Sequence, residues 1–256
     1  MLRKLFSLGR NVARAAPAGT IPPGQRLYVI GDIHGRFDLL ETLLERIDAD
    51  DAGRSSAETA LLFLGDLVDR GPQSAQVVER LLQLSLTKPA TRFLLGNHEE
   101  VFLASLSGDV QAFKFFTRIG GRETVLSYGI SEEQYRELDY AELLDWFISN
   151  VPADHRAFLE RFEDMIIVGD YAFVHAGIAP GTSLAQQKVG DLRWIRGPFL
   201  EHHGPLEKII VHGHTISPAV EIRPHRIGLD TGAYSSGNLT AMAFEADRRW
   251  VLDTSV

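Results

Sequence analysis

Residues 27–35 read Leu27-Tyr28-Val29-Ile30-Gly31-Asp32-Ile33-His34-Gly35, an apolar run that leads straight into an acid and a histidine held between glycines. A short uninterrupted apolar run of this kind reads as a parallel strand buried on both faces. Gly31 and Gly35 permit the tight backbone path that turns Asp32 and His34 toward one point. The construction recurs twice. Leu61-Leu62-Phe63-Leu64 leads into GDLVDRG (65–71), and Arg92-Phe93-Leu94-Leu95 leads into GNHE (96–99). In an open α/β sheet the carboxyl ends of such strands meet at one crevice, where ligands bind. Singly, an Asp after a strand is commonly an N-cap and an Asn after Gly commonly a turn residue. Three such loops between residues 31 and 99 point instead to a shared site. Asp32, His34, Asp66, Asp69, Asn97 and His98 are hard oxygen and imidazole donors suited to two divalent cations.

Two histidines further along extend the set. His175 follows Tyr171-Ala172-Phe173-Val174 and precedes Ala176-Gly177, and His214 lies in HGHT after the strand read at Lys208–His212. Both again fall at strand carboxyl ends. His212 competes with His214 for the role. Gly213 is expected to break the strand between them, which favours His214 as the donor and leaves His212 structural. The expected chemistry is metal-dependent hydrolysis of a phosphate ester.

Outward from these loops, the chain divides by pattern and not by linker. From 27 to about 100, strands alternate with amphipathic helices at Phe37–Ile47 and Ser74–Leu86. Residues 101–163 read as a helical insert whose aromatic cluster at Phe113, Phe115 and Phe116 fits core packing. From 165 onward the strands return, at 165–168, 171–175, 208–212, 220–223, 226–229, 239–245 and 250–253. This order predicts an α/β architecture in four layers, two packed mixed sheets flanked by helices, as a single domain over 25–256. Residues 1–24 differ: Arg3, Lys4, Arg10 and Arg14 alternate with apolar residues ahead of Pro22-Pro23-Gly24. They read as a flexible basic tail, or alternatively as a short amphipathic helix over 1–16 that touches a membrane surface or a partner.

Composition narrows the class. With 256 residues, 45% of them hydrophobic, a substantial core is available. The formal charge of −8 argues against broad nucleic-acid binding. The absence of cysteine excludes disulfides, thiolate metal sites and a cysteine nucleophile. No apolar run approaches the roughly 20 residues of a membrane span, and a cytoplasmic location is expected.

GDIHG, GDLVDRG, GNHE, HAG and HGHT, in this order, resemble the phosphoprotein phosphatase family of metallophosphoesterases, in the manner of small bacterial and phage serine/threonine protein phosphatases. The resemblance spans residues 27 to 245. It implies a dinuclear centre, often of manganese, with iron, zinc and cobalt also suited to the donor set. Asp32, His34 and a bridging Asp66 would hold the first ion; Asp66, Asn97, His175 and His214 would hold the second. His98 would protonate the leaving group, Asp69 would orient it, and Arg70 would clamp phosphate beside Asn97. DLRWIR (191–196) resembles the segment that delivers a second phosphate-binding arginine, matched to Arg196 with Arg193 as rival. Residues 228–234 resemble the late strand and loop of the family, where Tyr234 would flank the substrate; a tyrosine packed within the loop is the alternative. A phosphorylated protein would be the partner and substrate.

The same motifs leave an alternative open, the symmetrical diadenosine-tetraphosphatases. Those enzymes typically lack the acid before Arg-Gly and carry Asp after Asn-His, where this chain has Asp69 and Glu99. A third expectation, of another class, is an inactive scaffold that binds partners through the helical insert.

Overall fold

A computed structural model describes residues 19–255. The first sheet has the order β10-β9-β1-β2-β3, from strands β1 (Gln25–Ile30), β2 (Glu58–Phe63), β3 (Arg92–Phe93), β9 (Thr240–Glu245) and β10 (Arg248–Asp253). The second has the order β4-β5-β6-β8-β7, from β4 (Met165–Val168), β5 (Tyr171–Val174), β6 (Ile209–His212), β7 (Glu221–Ile222) and β8 (Arg226–Gly228). Each is mixed. β1, β2 and β3 run parallel in one, and β5, β6 and β8 in the other, with antiparallel strands outside them.

Strand alternation sorts the side chains into layers. Leu27 and Val29 of β1 face the second sheet and pack with Leu62, Phe173, Val211, Ile227 and Phe244. Tyr28 and Ile30 point the other way, onto helices α1 (Phe37–Ala52) and α2 (Ser74–Thr87). Helix α1 buries Leu40, Leu43, Leu44 and Ile47, the i, i+3, i+4, i+7 stripe that an amphipathic helix lays on a sheet. The outer face of the second sheet, Ala172, Val174 and Ile210, is covered by Leu184, Leu192 and Phe199. The expected four layers, two mixed sheets flanked by helices, are present.

The helical insert holds α3 (Asn97–Leu106), α4 (Val110–Phe116), α5 (Arg122–Ser127), α6 (Glu132–Glu137), α7 (Tyr140–Asn150) and α8 (Ala153–Leu159). Phe102, Phe113, Phe116 and Phe147 form its aromatic centre, with ring centroids 5.4–6.2 Å apart. Phe115 departs from the expected core cluster: it is exposed and lies 6.1 Å from Trp194. Between α4 and α5 the chain kinks at Gly120, with φ +124°. A Cβ there would come within 2.7 Å of the Arg70 side chain, and the Gly120 carbonyl accepts the Arg70 N–H at 3.0 Å. Glycine is what lets the insert touch the second loop.

Two further expectations need correction. β3 stops at Phe93 and not at Leu95, because Leu95 N–H turns away to the Glu163 carbonyl at 2.9 Å. Residues 19–24, read as the end of a flexible tail, are held: Tyr171 Oη donates to the Gly19 carbonyl at 2.8 Å, Thr20 bonds Asp170, and Ile21 is buried between the sheets. The basic stretch at 1–18, including its possible membrane contact, lies outside the described residues. No helix among those described is long and apolar enough to cross a membrane.

Candidate metal centre and acid pair

Six strands end at one place. The residues after β1 supply Asp32 and His34, those after β2 supply Asp66, Asp69 and Arg70, and those after β3 supply Asn97 and His98. From the second sheet come His175 after β5, His214 after β6 and Asp230 after β8. All of these except Arg70 are buried. Among the described residues, six non-glycine positions have left-handed φ: His34, Asp66, Asp69, Arg70, His214 and Ala246. Five belong to this site. Such conformations cost of order 1–3 kcal/mol each and persist only where the surroundings enforce them.

Asp66 is the centre of the cluster. Potential ligand atoms of His34, Asp66 and His98 lie within 4.8 Å of one another, as do those of Asp66, His175 and His214. The shared carboxylate fits the expected bridging position. Asn97 joins the second group through Oδ1, 3.0 Å from His175 Nε2. Asp32 lies against the second group; its Oδ2 accepts the His214 N–H at 2.9 Å and its Oδ1 has no partner. A Cβ at Gly213 would come within 2.0 Å of that Oδ1, so the HGHT turn needs its glycine. His98, expected as the acid alone, is also close enough to share the first group.

Hydrogen bonds at the far side of each ring set the histidines. Nδ1–H of His34 donates to the Val68 carbonyl and that of His175 to the Leu64 carbonyl, both at 2.8 Å, which aims each Nε2 inward. Burial holds His34 well below the ordinary histidine pKa and His214 down to about 3, so both are neutral donors. His175 behaves oppositely. Burial opposes its charged form, yet Asp66 at 3.3 Å and Asp32 raise its pKa to about 10. The Asp32 carboxyl is itself pushed well above its usual range by burial and by Asp230. Buried carboxylates with unpartnered oxygens on Asp32 and Asp230, beside an unpartnered Nε2 on His214, are short of positive charge. The donor set therefore fits divalent cations. His212 lies apart, its Nδ1 turned to the Gly213 carbonyl and its ring against Phe199.

The second half of the site is a histidine–carboxylate pair. His98 Nδ1 lies 2.6 Å from Asp69 Oδ2, with both residues buried. Burial works against the imidazolium, but Asp66 and Asp69 outweigh it and raise the His98 pKa. Arg70 spans the two rings, one Nη 3.0 Å from His34 Nε2 and the other 3.0 Å from His98 Nε2. The Tyr234 ring flanks the same spot, 5.4 Å from the His34 ring and with the Arg70 guanidinium 4.8 Å from its centroid.

Of the two rival arginines, Arg193 is tied to Glu100 at 2.9 Å and Asp164 at 2.6 Å. Arg196 is exposed, and its charge contributes to holding His214 neutral. Glu99, read from sequence only as a branch marker, accepts N–H groups from Asp66, Leu67, Val68 and Gly96. Burial and the Asp66 charge push it up to about 7. Asp230 was missed, although LDTG repeats the strand-then-acid signal. Thr124, which bonds Asp69, carries no signal because it sits mid-helix in the insert.

Six strand ends, a shared buried carboxylate and an acid pair define a metal-dependent phosphoesterase. The chain belongs to the calcineurin-like phosphoesterase family, whose model matches residues 25–250. It is 36% identical over 184 residues to a symmetrical bis(5'-nucleosyl)-tetraphosphatase of Acidovorax, an alignment covering 72% of this chain and 51% of that one. With an asymmetrical bis(5'-nucleosyl)-tetraphosphatase of Bacillus velezensis it shares 27% identity over 241 residues, covering 84% and 88%. The chain spans about half the length of several curated relatives it matches. A crystal structure of a protein proposed to be a diadenosine tetraphosphatase superposes with TM-score 0.62 at 21% identity, over 93% of this chain and 99% of that one. These names agree with the alternative raised from the sequence better than with its first reading.

Proposed function

We propose that the chain is a phosphomonoesterase that releases phosphate from serine or threonine side chains of a phosphorylated protein. The observation that carries this reading is the buried His98–Asp69 contact of 2.6 Å. An aliphatic phosphate ester departs as an alkoxide, a poor leaving group that requires a proton. A nucleoside diphosphate departs readily without one. A histidine whose proton affinity a buried carboxylate raises serves the first substrate far more than the second.

In this reading Asp32, His34 and Asp66 would hold one ion and Asp66, Asn97, His175 and His214 the other, with manganese the expected metal. When bound, two such ions would supply positive charge opposite the phosphate oxygens and lower the pKa of a water toward neutrality. Arg70 turns from the two imidazoles to the phosphate, where it and Arg196 donate paired hydrogen bonds that strengthen as charge develops. With the guanidinium gone, His98 Nε2–H faces the leaving oxygen and delivers its proton. Asp69 Oδ2 keeps the ring oriented throughout.

The second reading is hydrolysis of dinucleoside tetraphosphates, which the names of the similar proteins favour. The two are separated by assaying manganese-loaded protein on a phosphothreonine peptide and on diadenosine tetraphosphate side by side. Phosphate release from the peptide, falling by about 10²–10⁴-fold in His98→Asn, is the expected result. Turnover of the nucleotide with the peptide untouched replaces the first reading with the second.

A further inference from the structure

The carboxylate that orients His98 is itself held by the helical insert. Asp69 Oδ2 faces His98, and Oδ1 accepts the Thr124 hydroxyl of α5 at 2.6 Å. The Asp69 N–H is shared between Thr124 Oγ1 at 2.9 Å and Ser74 Oγ at 3.0 Å. Asp69, Ser74 and Thr124 have no exposed surface at all. A threonine hydroxyl has one proton to give, and among the described residues the only charged acceptor within its reach is Asp69 Oδ1. The Ser74 hydroxyl oxygen lies 2.9 Å from Thr124 Oγ1. Helix α5 is fixed in turn: Ser127 Oγ accepts the Ala75 N–H at 3.0 Å and donates to the Thr124 carbonyl at 2.7 Å.

We propose that Thr124 is a positioning residue for proton donation, its hydroxyl fixing the Asp69 carboxylate so that Oδ2 stays in line with His98 Nδ1. The inference rests on the reading of His98 as general acid. Thr124 never touches the substrate. Without its hydroxyl, Oδ1 has no other hydrogen-bond donor among the described residues, and the carboxylate is free to swing about its Cβ–Cγ bond. The insert is thereby part of the acid apparatus.

The test compares Thr124→Val, Thr124→Ser and His98→Asn on two substrates, a phosphothreonine peptide and 4-nitrophenyl phosphate, whose leaving group needs little protonation. Thr124→Val is expected to lower kcat on the peptide about 10- to 100-fold with KM unchanged, the usual effect of losing a group that orients a functional residue. Its loss on 4-nitrophenyl phosphate should be much smaller, and Thr124→Ser should restore the peptide activity. A second readout needs no turnover: the hydrogen-bonded Nδ1 proton of His98, identified by proton NMR through its disappearance in His98→Asn, should shift or broaden in Thr124→Val and return in Thr124→Ser. Equal losses on both substrates with an unmoved resonance, or wild-type behaviour throughout, would overturn the role of Thr124. If His98→Asn itself shows no dependence on the leaving group, the general-acid reading falls and this inference with it. If His98→Asn shows that dependence and Thr124→Val does not, only Thr124 is lost.

Discussion

Glu99 and Asp66 meet through the backbone. Glu99 Oε2 accepts the Asp66 N–H at 2.8 Å, and Oε1 accepts the next N–H, of Leu67, at 2.7 Å. A residue one turn into α3 therefore fixes the left-handed conformation in which Asp66 presents both oxygens to the cluster. Glu99→Gln replaces an acceptor oxygen with an amide that points protons at protons. It should cost about 1–3 kcal/mol of stability and reduce metal content, read by denaturant unfolding and elemental analysis. Unchanged values on both would show that the Asp66 loop holds itself.

Removing metal should destabilise the protein. Asp32, Asp66 and Asp230 crowd one buried volume, and burial with mutual repulsion pushes Asp32 well up. Chelation should lower the Tm, and added manganese should restore it with a concentration dependence worth about 2.7 kcal/mol at a hundredfold excess over Kd. A Tm indifferent to chelator and manganese would mean that these donors bind no divalent ion.

Arg196 and Arg193 should separate cleanly. Arg196→Ala is expected to raise KM for phosphate substrates about tenfold, the worth of one charged hydrogen-bonding partner, with the Tm unchanged. Arg193→Ala breaks the contacts to Glu100 and Asp164 and should lower the Tm first. The reverse pattern would assign the phosphate contact to Arg193.

Asp50 predicts an acid limb to the stability curve. Its carboxylate accepts from Arg54 at 2.8 Å, Tyr28 Oη at 2.7 Å and Trp250 Nε1 at 3.0 Å, and these contacts hold its pKa down to about 2, led by the Arg54 pair. The unfolded chain binds this proton at the ordinary value of 3.8. Between 3.8 and about 2 the unfolded state carries more protons, so stability rises with pH in that window. The contribution is complete above the window and is lost as pH falls through it. Asp50→Asn should cost about 1–2 kcal/mol at neutral pH after allowance for solvent screening, and should flatten the acid limb. Parallel limbs in wild type and variant would remove Asp50 from this role.

The loops at the strand ends were legible because each couples a buried strand, which must be apolar on both faces, to a polar turn that need not be there for folding. Asp32, His34, Asp66, Asn97, His98, His175 and His214 all surfaced this way, and the structure brings them together. What stayed hidden has no local pattern. Thr124 looks like any small helical residue until α5 is packed against the second loop. Glu99 acts through backbone N–H groups that the sequence does not display. The anchoring of Arg193 depends on Glu100 and Asp164, which are distant in the chain. The docking of residues 19–21 against Asp170 and Tyr171 is likewise a tertiary contact between segments far apart.

Asp66 belongs to the first sheet, and His175 and His214 to the second. Ions shared by these residues would tie the two sheets together at one end of their common core, a cross-link in a chain that has no cysteine for a disulfide. Slippage between the sheets, from a cavity at Phe173 or Phe244 for instance, would then register at the site before the fold is lost. Activity becomes a gauge of how well the sandwich is packed.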